Sequence, residues 1–413
     1  MKPMRIFAGI LVLSLTAGMG YAQVVDPKDV AKDDATNRTN SNIESGVDNG
    51  VGKAEGAIKG LFKKKKPAPN QQAQQPQQQG QQVQPTGGTG FRAYNNYDFV
   101  PGDSIVFEDH FTDDAEGEFP SHWNLGKGQA VLNNMNGTKV FSLTDGNYAH
   151  VSPLIKSPSY LSDPFTIEFD NYSTGGYLPR IYFYASNNNA TAASSDLGVV
   201  TVESGDIQFG NHTGVELSGS YPADISGEQY LNKWHHIAIA YKKGQIKVYV
   251  DQYRILVVPN IGFAPHAFDI EGIGDQGKPI MMANFRVANG GKMNMLGRKF
   301  TDAKIITHGI NFDIDKATIK PESMGTLNMV AGVMRDNPDI KFEIDGHTDN
   351  TGTAAHNVFL SQARAAAVKT QLVSMGVDAS RLTTQGFGDT RPLADNSTLE
   401  GKANNRRVEF VKQ

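Results

Sequence analysis

The 413-residue sequence predicts a multidomain chain in which a β-sandwich is followed by an α/β domain with helices over a small mixed sheet. A disordered N-terminal linker precedes both. Three observations predict this order. Residues 23–98 shift to polar and Pro/Gln/Gly-rich composition. Residues 99–292 carry short apolar stretches of period two, cut by Gly, Asn, Asp and Pro turns. Residues 300–413 alternate strand patterns with helical ones.

The N-terminus reads as a secretory leader over 1–22. Lys2 and Arg5 supply positive charge, Ile6 to Ala17 a short apolar run, and Gly20-Tyr21-Ala22 a small-x-small cleavage pattern. The run is too short to span a bilayer comfortably. Between 43 and 66, Ile43, Val47, Val51, Ile58, Leu61 and Phe62 stand near helical spacing, and Lys63 to Lys66 follow. Such a segment can rest on an anionic surface or serve as a solvated linker. Pro67 to Gly90 is Pro/Gln/Gly low complexity, a spacer that cannot bury enough apolar surface to fold.

Composition narrows the chemistry. A net charge of −4 gives no global field favouring nucleic acid. With Cys 0 there are no disulfides, thiolate metal sites, cysteine nucleophiles or cysteine-borne lipids. No Ser-His-Asp order, Gly-rich phosphate loop or H-E-x-x-H occurs, so no enzyme and no cofactor is expected.

In the sandwich, strands are expected at 105–107, 165–169, 180–184, 236–240 and 245–250, with a hairpin turn at Lys243-Gly244. His235 and His236 are adjacent and face opposite ways, so they cannot chelate one ion together; one is expected beside Trp234. Asp109, Asp113 and Asp251 could gather around calcium, but turn acids are common and no metal site is expected. Glu168 and Asp170 have the alternate spacing of a glycosidase pair, yet stand in an otherwise apolar strand with no third acid.

In the last domain, strands are expected at 305–312, 340–345, 382–386 and 406–411, and helices at 321–335 and 356–375. Pro321 suits the first helical turn and Gly376 the C-cap. Between the second strand and second helix lies a polar loop, His347 to Thr353. The helix carries Asn357, Ser361 and Arg364 on one face, looking back at that loop. An acid, Asp349, and a base, Arg364, therefore stand on separate elements. They could pair with each other or grip a ligand bearing both an ammonium and a carboxylate. His347 is expected to pack the loop, and Asp313 to order the turn after the first strand.

Leu231 to Asp251, together with Phe107-Glu-Asp-His-Phe111 and Trp123, resembles the laminin-G/concanavalin A-like jelly roll. The resemblance implies a two-sheet sandwich used for glycan or protein ligands. The last domain resembles the OmpA C-terminal, peptidoglycan-associated family. The carrying residues are Ile310-Asn-Phe-Asp-Ile-Asp315, Gly346-His-Thr-Asp-Asn-Thr-Gly352, Asn357-Val-Phe-Leu-Ser-Gln-Ala-Arg-Ala365, Gln385-Gly-Phe-Gly388 and Asn405-Arg-Arg-Val-Glu409. That resemblance implies non-covalent binding of the peptidoglycan stem peptide through diaminopimelate. Asp349 would take the ligand's ammonium and Arg364 its carboxylate. Asp315, Thr351, Asn357 and Arg407 would line the pocket, with Arg406 outside it or in a surface pair. Charge-assisted bonds of this kind contribute roughly 1.5–3 kcal/mol each.

The expectation is an exported periplasmic protein that tethers an outer-membrane surface or outer-membrane protein to the cell wall. The alternatives are a wall-delivered glycan-active enzyme and a surface adhesin, both acting through the jelly roll.

Overall fold

The computed structural model describes residues 97–413 apart from 145, 147, 186–196, 276 and 291–299. The leader at 1–22 and the segment at 43–66 lie outside the described residues, as does all but the end of the linker. That end is not linker. The Tyr97 ring stands edge-on to Tyr249 at 5.5 Å, and Asp98 accepts from Arg254 Nη1 at 2.7 Å.

The sandwich opens with β1 (Ser104–Asp109), β2 (Trp123–Lys127), β3 (Ala130–Met135), β4 (Thr138–Leu143) and β5 (Ala149–Pro153). It continues with β6 (Phe165–Tyr172), β7 (Arg180–Tyr184), β8 (Leu197–Val202), β9 (Asp206–Asn211) and β10 (Glu216–Ser220). It ends with β11 (Trp234–Lys242), β12 (Gln245–Val250), β13 (Tyr253–Val258), β14 (Ala267–Gly272) and β15 (Ile280–Asn289). One sheet has the order β13-β12-β11-β6-β15-β4-β3, with β1 also on β15; the other is β10-β9-β8-β7-β14-β5-β2.

Strand alternation decides what faces inward. Phe165, Ile167 and Phe169 of β6 enter the core with Ile237 and Ile239 of β11 and Phe183 of β7. Trp123 packs among Phe107, Phe141 and Phe285, its ring 5.4, 5.1 and 4.8 Å from theirs. Its indole N–H donates to Asp109 at 3.0 Å, so the one polar group of the ring is satisfied. The expected turn between β11 and β12 places Lys243 and Gly244 at φ 48° and 81°. Both are left-handed, as a two-residue hairpin that follows the strand twist requires.

The outer face of the first sheet is covered where its side chains are small. Ala238 and Ala240 pack with Tyr97, Phe99 and Tyr249. Ile105 and Ala288 pack with Ala403 of the C-terminal domain.

That domain consists of β16 (Lys304–Thr307), α1 (Met324–Asp336), β17 (Phe342–His347), α2 (Ala354–Ser374), β18 (Leu382–Gly388), α3 (Leu399–Asn405) and β19 (Val408–Lys412). The sheet order is β16-β19-β17-β18; β17 and β18 are parallel and the other pairings antiparallel. Leu327, Val330 and Met334 of α1 and Val368 and Leu372 of α2 close over Phe342, Ile344 and Phe410. Pro321 heads a short 3-10 turn that leads into α1.

Several boundaries moved. β16 stops at Thr307, not 312, because the Thr307 hydroxyl accepts from Gly309 N at 3.0 Å and turns the chain off the sheet edge. Helix α2 begins at Ala354, ahead of His356, because Thr353 caps it through His356 N. Helix α3 was not expected: it contains Gly401 and two asparagines, poor helix formers, and is held by its Thr398 cap and by tertiary contact. The last strand starts at Val408, not Arg406.

Two glycines set the height of α2 over the sheet. A Cβ on Gly346 would lie 2.2 Å from Ser361 O, and one on Gly386 2.4 Å from Gln362 N. The helix therefore rests directly on strand backbone, which brings its Asn357–Ser361–Arg364 face to the loop after β17.

Candidate ligand-binding site

Asp349 follows β17 and is buried. Its Oδ1 accepts from Thr351 N at 2.8 Å, and its backbone carbonyl accepts from Asn357 Nδ2 at 3.3 Å. Its Oδ2 accepts from Arg406 Nη1 at 2.6 Å. Burial pushes the carboxyl up, but the bonds from Arg406 and Thr351 outweigh it and hold Asp349 below its ordinary value. It is ionised at neutral pH.

Arg364 is half-buried on α2. Nε donates to Lys316 O at 2.9 Å and Nη2 to Asp313 O at 3.4 Å, and the guanidinium lies 4.9 Å from the centre of the Phe312 ring. A guanidinium has five N–H donors, so some remain available. Burial lowers its pKa; the charges of Asp315, Arg406 and Asp349 all act on it. Among the described residues no carboxylate lies within 4 Å of Arg364; Asp349 pairs with Arg406 instead. The direct Asp349–Arg364 bridge, left open on spacing, is not formed.

Asp315 sits at φ 55° on an exposed turn, and its Oδ1 is 2.6 Å from His356 Nε2. Thr351 is exposed at the loop tip, and Asn357 is buried beneath it. Ser361 fastens the helix: its hydroxyl accepts from Gly388 N at 2.8 Å. The loop, α2 and the 313–316 turn thus bring together Asp349, Arg364, Asp315, Thr351 and Asn357.

Arg407 is the correction. Its side chain is 2% exposed, donates to Glu409 at 2.7 Å and caps the carbonyls of Asn405 and Arg391. It is a core residue, not a pocket lining. Arg406, expected outside or in a surface pair, is the arginine that reaches Asp349. Neighbours at the entry to a strand face opposite ways, and the sequence does not say which faces in. His347 packs the loop as expected: it is buried and stacked on Phe387 at 5.4 Å. Burial and the Arg407 charge push it down to about 4, so it is neutral.

Elsewhere the sandwich residues fall differently from expectation. His235 stacks on Tyr230 at 4.0 Å rather than on Trp234, and pairs with Asp251 at 2.7 Å. Asp251 is therefore not with Asp109 and Asp113. Among the described residues, the group that comes within 4.8 Å is Asp109, Asp113 and His122, and both Asp109 oxygens already accept, from Phe111 N and Trp123. Glu168 and Asp170 do not face an open groove. They hold His236, at 3.4 and 2.8 Å. A third acid stands near them, Glu108 of β1, across Arg286 of β15. Sequence reading also passed over a second alternate pair, Asp269 and Glu271 of β14, which take His150 at 2.6 Å and Tyr148 at 2.7 Å.

Residues 311–406 match the OmpA family, and this C-terminal unit is an OmpA family domain. Over 104 residues the chain is 48% identical to the probable lipoprotein YiaD of Escherichia coli K12, covering 25% of this chain and 48% of that protein. It is 48% identical over 99 residues to outer membrane protein A of Bordetella avium, covering 24% and 51%. It is 43% identical over 102 residues to the peptidoglycan-binding protein ArfA of Mycobacterium bovis, covering 25% and 31%. The chain thus spans about half or less of these relatives.

Proposed function

We propose that this is an exported cell-envelope protein that binds peptidoglycan non-covalently through the diaminopimelate of the stem peptide, and so tethers the outer membrane or a partner to the wall. One observation carries the reading. Asp349, on the loop after β17, and Arg364, on α2, are opposite charges that act on each other but are not spent on each other. Diaminopimelate offers a matching amine and carboxylate on one carbon. The ammonium goes to Asp349, and the carboxylate accepts from the free donors of Arg364. A stem residue lacking either charge leaves one protein charge unpaired, which is the basis of selectivity. Asn357 and Thr351 fix the Asp349 loop, and Asp315 borders the Arg364 side. Relatives called a peptidoglycan-binding protein and an outer membrane protein support the placement.

The sandwich is of the concanavalin A-like jelly-roll kind and contributes ligand contacts rather than catalysis.

Co-sedimentation with purified sacculi tests the function. Wild type is expected in the pellet and Asp349→Ala/Arg364→Ala in the supernatant. Equal pelleting of the two overturns the pocket assignment. Release of sugar products from a polysaccharide panel overturns the assignment as a non-catalytic tether.

A further inference from the structure

The charged site does not end at the OmpA family domain. Arg406 Nη1 reaches Asp349 at 2.6 Å, while Arg406 Nη2 pairs with Oε2 of Glu108, a residue of the sandwich. The other Glu108 oxygen, Oε1, takes Arg286 Nε at 2.8 Å and Nη2 at 2.7 Å. Arg286 in turn donates through Nη1 to His308 O and Asn311 Oδ1, each at 3.2 Å. Charges therefore alternate in one line, Arg286–Glu108–Arg406–Asp349, from the sandwich to the ligand site.

The line has a buried end and a part-exposed end. The Glu108 side chain is 2% exposed and gripped by Arg286, so it cannot follow Arg406. The Arg406 side chain is 37% exposed. Its guanidinium is shared between two carboxylates, one nitrogen to each. Without Glu108 it could turn and meet Asp349 with both nitrogens, the stronger arrangement for a carboxylate. A ligand ammonium would then have to displace a bidentate partner from Asp349.

We propose that Glu108 of the sandwich is a positioning residue of the ligand site, drawing Arg406 partly off Asp349 so that Asp349 keeps charge for a ligand ammonium. The inference rests on the assignment of Asp349 as the ammonium's partner. Coupling of this kind is reciprocal. An ammonium at Asp349 hands Arg406 over to Glu108, so wall binding tightens the sandwich against the OmpA family domain.

The test uses the full chain and the tripeptide L-Ala–γ-D-Glu–meso-diaminopimelate in a calorimetric titration. Glu108→Gln keeps the side-chain volume and removes the charge. It should weaken binding about tenfold, the effect of roughly 1.4 kcal/mol. In an Arg406→Gln background the same change should have no effect, because the competition is gone. Asn404→Ala removes both hydrogen bonds to the Ile105 backbone without touching a charge, and should lose far less affinity than Glu108→Gln. Equal affinity of wild type and Glu108→Gln overturns the proposal. So does an undiminished Glu108 effect in the Arg406→Gln background, or a loss in Asn404→Ala as large as in Glu108→Gln. A second readout needs no ligand: the carboxyl carbon of Asp349, assigned with Asp349→Asn, should titrate at lower pH in Glu108→Gln than in wild type. An unchanged titration overturns the proposal even if wild type binds no tripeptide, an outcome that would sink only the peptidoglycan assignment.

Discussion

Arg406 and Arg407 are chemically identical neighbours with opposite fates, and the difference is one of facing. Arg407 lies in the core against Glu409, and the pair is nearly inaccessible, at 2% and 6% exposure. Without Arg407, buried Glu409 would keep only the half-exposed Lys304, at 2.7 Å, so the loss approaches the roughly 3–5 kcal/mol of a broken buried pair. Arg407→Ala should therefore lower the denaturation midpoint strongly. A surface residue would shift it within about 0.5 kcal/mol, and that result would return Arg407 to the pocket rim. His236 makes a pH prediction. Burial lowers its pKa, but the bonds to Asp170 and Glu168 outweigh this and raise it well above the ordinary value. A raised value means stabilisation that is complete below the unfolded pKa of about 6.5 and fades as pH rises through the folded value. The stability difference between wild type and His236→Asn should thus be largest in mild acid and shrink toward alkaline pH. A difference that stays constant across that range would contradict protonated pairing.

At the scale of elements, the site depends on how closely α2 lies on β17 and β18. Its capping residue, Thr353, stabilises the helix start by about 1 kcal/mol. Gly346 has no room for a side chain, because Ser361 O lies where a Cβ would go. Gly346→Ala should lift α2 and cost about 1–3 kcal/mol, as overpacking does. It should also weaken sacculus binding, since Asn357 and Arg364 move with the helix while Asp349 stays with the strand. Stability measured by urea titration together with pelleting checks both. A variant that is destabilised but pellets fully would show that the helix height does not set the pocket. Much of this was legible locally: the strand-loop-helix order around Asp349, the helical spacing of Asn357 and Arg364, and the Lys243-Gly244 hairpin. Helix α3 was not, because its Gly and Asn content argues against a helix, and packing of Ala403 against Ile105 and Ala288 overrides propensity.

At the scale of the whole molecule, the sandwich and the OmpA family domain share an interface. Asn404 exchanges bonds of 3.0 and 2.7 Å with the Ile105 backbone, and Gly325 lies where any Cβ would sit 1.7 Å from Phe99 O. Two domains joined through such contacts are expected to unfold together. Ala403→Arg, which drives a charged side chain into that seam, should split one calorimetric transition into two. A single transition in the variant would mean that the coupling does not depend on the packing of Ala403.

The class of each domain, the acid and base of the candidate site and the loop that presents them could all be read from the chain, because each rests on periodicity or on spacings of a few residues. Which arginine faces inward, and what stands on its far side, could not. Glu108 and Arg406 are 298 positions apart. No local pattern marks a pairing at that distance; it exists only because the outer face of one sheet is closed by the next domain. Burial at that seam opposes the charge of Glu108, and Arg286, His110 and Arg406 outweigh it and keep Glu108 ionised, which ties the sandwich to the site.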